Sequence, residues 1–103
     1  MGLLENKTSD ENILTKHGFK FKTSSVTGYF KNCYEKAITL DSSYVMWVAV
    51  KTDTSEVFIY IEYDCGGEIA SREYALGNTF SDERAFFKEL DDIVTMVAEE
   101  YND

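Results

Sequence analysis

Toward the end of the chain, apolar side chains recur largely at steps of three and four. Phe86, Phe87, Leu90, Ile93, Val94, Val97 and Tyr101 predict one long amphipathic helix. Ser81 stands where a cap is needed, Asp82 and Glu83 fall in the first turn, and no glycine or proline interrupts the run. Upstream the period is two. Phe19-Lys20-Phe21-Lys22 alternates as a half-buried strand does, and Gly28-Tyr29-Phe30-Lys31 resumes the signal after a turn at Thr23–Thr27. Tyr34–Leu40 suits a strand, although Tyr34-Glu35-Lys36-Ala37 also fits a helical turn. Tyr44–Val50 is nearly all apolar, which predicts a strand covered on both faces. Val57–Asp64 is β-branched and aromatic throughout, and Ile69–Leu76 returns after it. Turns are expected at Asp41-Ser42-Ser43, Thr52–Ser55 and Gly77-Asn78, with Gly66-Gly67 supplying the positive φ angles of a tight hairpin. At the start, residues 1–8 read as a frayed lead-in. Ser9 or Asp10 then caps a short helix through Ile13, Leu14 and His17, ended by Gly18. The pattern predicts a single α+β domain over 1–103. It is an antiparallel β-meander of about four to six strands, with a short N-terminal helix and a long C-terminal amphipathic helix packed on the sheet.

Charge adds a direction to this pattern. Residues 1–52 hold 7 Lys/Arg and 5 Asp/Glu, whereas residues 53–103 hold 3 and 14, for a net charge of −9. A focused acidic field attracts basic partners and repels nucleic acid and anionic membranes. With 44% hydrophobic and 15% aromatic residues, the chain is too apolar for a disordered acidic tail and buries a real core. Tyr44–Val50 is too short to cross a bilayer, and the first residues lack the apolar core of a signal peptide. Cys33 and Cys65 fit packed, reduced thiols. A soluble cytoplasmic protein is expected.

The candidate chemistry is mostly carboxylate. At roughly 100° per residue, Asp82, Glu89, Asp92, Glu99, Glu100 and Asp103 gather on one flank of the helix's polar side. Residues 81–103 carry 8 acids against Arg84 and Lys88, and Glu99, Glu100 and Asp103 stand at the negative end of the helix dipole. Acids set against local stability point to a surface kept for a partner. A second set is Glu62, Asp64 and Glu68 around Gly66-Gly67, with Tyr60 and Tyr63 beside them. Glu62 and Asp64 lie two apart on a strand and share a face, as a cation site or an acid/base pair requires. No third acid converges on them in the sequence. The set otherwise guards a sheet edge or extends the acidic surface of the helix.

Other chemistry finds no support. Cys65 lies between Asp64 and Glu68, without the positive surroundings a nucleophilic thiolate needs. One histidine and two cysteines make no zinc set, and there is no phosphate loop or Ser-His-Asp arrangement, so neither metal nor cofactor is expected. His17 reads as a helix-end charge or a packed ring. Lys16, Lys20, Lys22 and Lys31 lie among Phe19, Phe21, Tyr29 and Phe30, a combination that stacks single-stranded nucleic acid, but the net charge of −9 opposes it.

In length, in its charge of −9, and in the acidic stretch from Ser81-Asp82-Glu83 to Glu99-Glu100-Tyr101-Asn102-Asp103, the chain resembles two groups of bacterial and phage proteins. One is the small acidic anti-CRISPR and anti-restriction proteins that mimic DNA; the other is the acidic immunity proteins that neutralise nuclease toxins. The likeness is one of class, without a shared motif, so no family residue carries over. It implies a non-enzymatic inhibitor whose carboxylates take the place of phosphates on a basic, nucleic-acid-binding surface of an enzyme. The partner would be a basic protein, not nucleic acid or membrane, with Tyr60, Tyr63, Tyr74 or Tyr101 as contact hot spots. Two alternatives stand beside it. An assembly module that forms a homodimer through its sheet or helix would expose apolar surface on Tyr44–Val50. A small hydrolase using Glu62 and Asp64 would need a concave pocket beside them.

Overall fold

The computed structural model describes residues 13–40, 43–77 and 82–101. Its elements are α1 (Ile13–Lys16), β1 (Lys20–Ser24), β2 (Lys31–Thr39), β3 (Tyr44–Lys51), β4 (Glu56–Tyr63), β5 (Glu68–Ala75) and α2 (Glu83–Tyr101). The five strands form one antiparallel sheet in the order β1-β2-β3-β4-β5, the α+β meander that the periodicity predicts. The lead-in at residues 1–8, the Ser9 or Asp10 cap, Asp41, Ser42, Asn78, Ser81 and Asp103 lie outside the described residues. The ambiguous stretch from Tyr34 is strand. Tyr34, Lys36 and Ile38 stand opposite Val50, Val48 and Met46, so pairing with β3 outweighs the weak helical preference of four residues.

Register sorts the side chains onto two faces. Val48 and Val50 on β3 align with Ile59 and Val57 on β4, and Tyr34 and Tyr74 extend the Val50–Val57 row on either side. On this face α2 lays Phe86, Leu90 and Val97, closing a core with Leu14, Phe19, Met46 and Ile61. Each such side chain contributes roughly 1.5–3 kcal/mol when fully buried. The helix crosses the sheet: Phe87, Leu90 and Val94 lie beside Phe19, Lys36 and Ile38, and Glu100 at its far end reaches Arg72 of β5 at 2.5 Å. The exposed His17 ring stacks on Phe87 with centroids 3.9 Å apart, and Gly18 ends α1 with φ at 91°. Phe21, which its alternation would turn inward, is 50% exposed. It rests edge-on against Tyr34 at the rim of the sheet.

Among the described residues no helix lies on the opposite face. Instead the connection between β1 and β2 folds back over it as a strap. Val26 donates its N–H to the Glu35 carboxylate at 2.9 Å, and Phe30 donates its N–H to Ser25 Oγ at 3.1 Å. The Tyr29 ring stacks on Phe58 at 4.3 Å while its hydroxyl donates to Glu73 of β5. The strap shields a second, smaller core of Phe30, Cys33, Ala49 and Phe58 near the β3–β4 turn. Toward the β4–β5 turn the face stays open: Val45, Trp47 and Tyr60 are half-buried, and Ala37 and Thr39 are exposed. The expectation that β3 is covered on both faces therefore holds for only half its length. One helix covers one side of a sheet, and a six-residue strap reaches only part of the other.

Of the two thiols, both expected to be packed, only Cys65 departs from expectation. Cys33 is fully buried under the strap, and burial, then the charge of Glu35, pushes its thiol up to about 11. Cys65 sits exposed in the β4–β5 turn rather than packed. A disulfide reagent added to the native protein is expected to titrate one thiol fast and the second only on unfolding. Two fast thiols would mean that the strap opens freely.

Candidate functional site

The carboxylates lie on two surfaces, one on each side of the sheet. On α2, Asp82 has a structural role: its Oδ1 accepts the Ala85 N–H at 2.8 Å and caps the helix, the part expected of Ser81. Glu89, Asp91, Asp92, Glu99 and Glu100 are exposed. Lys88 reaches Asp92 at 2.9 Å, one turn along. Arg72 holds the Glu100 carboxyl below its ordinary range, and Glu100, followed by Tyr74, raises the Arg72 guanidinium in return. Glu100 thus has a local partner that the sequence does not reveal, although it stands at the negative end of the helix dipole. Among the described residues, Glu89, Asp91 and Glu99 make no ion pair. Asp91, outside the flank expected from the sequence, lies on the side of the helix near Phe19 and Lys36. Met96 is 48% exposed, one turn from Asp92, Glu99 and Glu100. Tyr74 and Tyr101 pack against the main core, so their rings are mostly committed inward.

The β4–β5 hairpin turns at Tyr63–Gly66, where the Gly66 N–H meets the Tyr63 carbonyl at 2.9 Å. Both glycines follow the bend at φ near 100°, rather than forming its centre. Asp64 belongs to the turn and donates its N–H to the Ser43 carbonyl. Glu62 points to the open face, away from α2, and its Oε1 accepts the Trp47 indole N–H at 3.0 Å. Tyr60 lies beside it. Desolvation raises the Tyr60 phenol, and the charges of Glu62 and Glu68 raise it further. Trp47, Tyr60, Glu62 and Glu68 therefore converge, whereas Tyr63 packs on Tyr44 at 5.8 Å on the other side of the sheet. The hairpin acids form a surface of their own rather than continuing that of α2.

Among the described residues no group of three or more His, Cys, Asp or Glu is placed to hold a metal. A cavity of about 220 Å³ is lined by Phe30, Glu56, Val57, Glu73, Tyr74 and Ala75. A smaller one of about 40 Å³ lies between α2 and the β1–β2 side of the sheet. Neither is lined by Glu62 or Asp64. Of the rings near the β1 lysines, Phe21 points to the other face and Phe30 is buried, while the exposed Tyr29 lies over Phe58 on the face to which Lys20 and Lys22 point. No helix among the described residues is long and apolar enough to cross a membrane.

Trp47, Glu73 and Asp91 are not singled out by the sequence, and Tyr29 stands out there only beside the lysines of the first strands. The signal for Trp47 was present in period two, since Val45, Trp47 and Ala49 share a face and Trp47 pairs with Tyr60. No family model matches the chain, and neither a curated protein nor a solved structure does.

Proposed function

We propose that the protein is a non-enzymatic acidic inhibitor that occupies a basic, nucleic-acid-binding surface of a target enzyme, in the manner of anti-CRISPR, anti-restriction or nuclease-immunity proteins. One observation carries the reading. α2 exposes Glu89, Asp92, Glu99 and Glu100, with Asp91 on the flank beside Lys36, against Arg84 and Lys88, and Lys88 is already engaged by Asp92. A merely solvated helix face needs no such excess, and an excess of one sign costs self-repulsion. Carboxylates one turn apart on a rigid helix meet Lys and Arg side chains without reordering, and Met96 among them offers an apolar contact. Association would be fast and sensitive to salt. The assembly reading draws on the half-buried Val45 and Trp47 of the open sheet face, but two copies at −9 each approach against like charge.

The test is capture from a lysate at low salt, with elution in rising salt and identification by mass spectrometry. The control is Glu89→Lys/Asp91→Lys/Glu99→Lys, which leaves the pairs of Asp92 and Glu100 intact and is confirmed folded by circular dichroism. A nucleic-acid enzyme held by the wild type, lost in the variant, displaced by DNA and inhibited on re-addition is the expected result. If both forms hold the same proteins, or none, the acidic face of α2 is solvated and the reading fails.

A further inference from the structure

The structure assigns a second docking surface. We infer that the open half of the sheet face receives an arginine-bearing segment of a protein partner, the guanidinium lying over Trp47 and Tyr60 and pairing with Glu68. This goes beyond the proposed function, because it uses the face away from α2 and stands even if the helix acids are only solvated.

Three observations lead to it. The face is uncovered where the strap ends, leaving Val45, Trp47 and Tyr60 half-buried in a molecule whose other face is closed by a helix. The Trp47 ring is held in place, since Glu62 accepts its indole N–H at 3.0 Å, and Tyr60 stands directly opposite it across the β3–β4 ladder. Glu62 is thus a positioning residue, while Glu68 is exposed and, among the described residues, carries no ion pair.

Charge identifies the occupant. Because strand order follows chain order, the charge gradient of the sequence becomes a gradient across the sheet. Lys20 and Lys22 stand on β1, whereas Glu56, Glu62, Glu68 and Glu73 stand on β4 and β5. A cationic segment is attracted to the β4–β5 side. An aromatic platform beside a carboxylate suits arginine better than lysine, since the planar guanidinium stacks on rings and pairs through a fork of donors. A second copy of the chain brings its own net charge of −9 against the same carboxylates.

The chain's one tryptophan lies in the patch and reports on it. The full-length protein is titrated at low salt with the peptide acetyl-Gly-Arg-Gly-Arg-Gly-amide and with its lysine counterpart, reading Trp47 emission and amide shifts. The arginine peptide is expected to change the emission, to shift β3 and β4 amides, and to bind about fivefold more tightly than the lysine peptide. Glu68→Gln should weaken it about threefold. Glu89→Lys/Asp91→Lys/Glu99→Lys should bind it at least half as tightly as the wild type, which separates this surface from that of α2. Equal response to both peptides, shifts confined to α2, no binding, or an emission change with protein concentration alone would each overturn the inference, the last in favour of a second copy.

Discussion

Replacing Phe86 with alanine is expected to remove about 3–5 kcal/mol of folding free energy, the cost of a large cavity that a packed core cannot refill. Phe86 is 1% exposed and lies with Leu90 and Val97 where α2 meets Val48, Val50, Val57 and Ile59. A domain of this size has about 5–15 kcal/mol in all, so a fifth or more of its stability would go. The midpoint of thermal unfolding should fall by roughly 12 °C or more. Urea titration followed by circular dichroism measures the loss, and an unchanged denaturant slope would show that the native state remains the same. Phe87→Ala is the comparison. That ring is half-buried and stacked on His17, so its loss should cost visibly less. A Phe86→Ala cost below about 1.5 kcal/mol would mean that α2 is docked far more loosely than its buried residues indicate.

The second large effect concerns the hairpin. Gly66 and Gly67 have φ of 101° and 100°, a region that L side chains rarely adopt. A Cβ at Gly66 would meet nothing within 4 Å, and one at Gly67 would just touch Tyr63 at 4.0 Å. Space is therefore available, and only the backbone objects. Gly66→Val/Gly67→Val should cost about 2–4 kcal/mol, at about 1–2 kcal/mol per strained residue. Gly66→Asn should cost much less, because asparagine tolerates positive φ. Equal losses from valine and asparagine at position 66 would place the cost in a contact rather than in the backbone.

These two sites also mark what the sequence makes legible. The apolar period of α2, the β-branched and aromatic run of β4 and the Gly66-Gly67 signal are local, and each element follows from residues a few positions apart. The burial of Phe86, Leu90 and Val97 is legible for the same reason. What escapes depends on partners distant in the chain. Tyr29 and Glu73 are 44 residues apart, Trp47 and Glu62 are 15 apart, and Arg72 finds Glu100 only once α2 crosses the sheet. The strap belongs to this group. Thr23–Thr27 reads correctly as the neighbourhood of a turn, but β1 continues through Ser24, and nothing nearby tells that the following residues fold over Phe58. The candidate site was therefore visible as a list of acids, without their division between two faces.

The order of the strands bears on how the chain reaches this state during synthesis. Each strand pairs with the one made just before it, so the sheet can assemble as residues 20–75 emerge. Its apolar face, with Val57, Ile59 and Ile61 in a row, must then wait for Phe86, Leu90 and Val97, and Tyr101 closes the helix 26 residues after Ala75. At about 5–20 residues per second that interval is roughly one to five seconds. During it the nascent sheet is a sticky surface tethered to a ribosome. A pause in translation within α2 would lengthen that exposure, and faster passage through the same codons would shorten it.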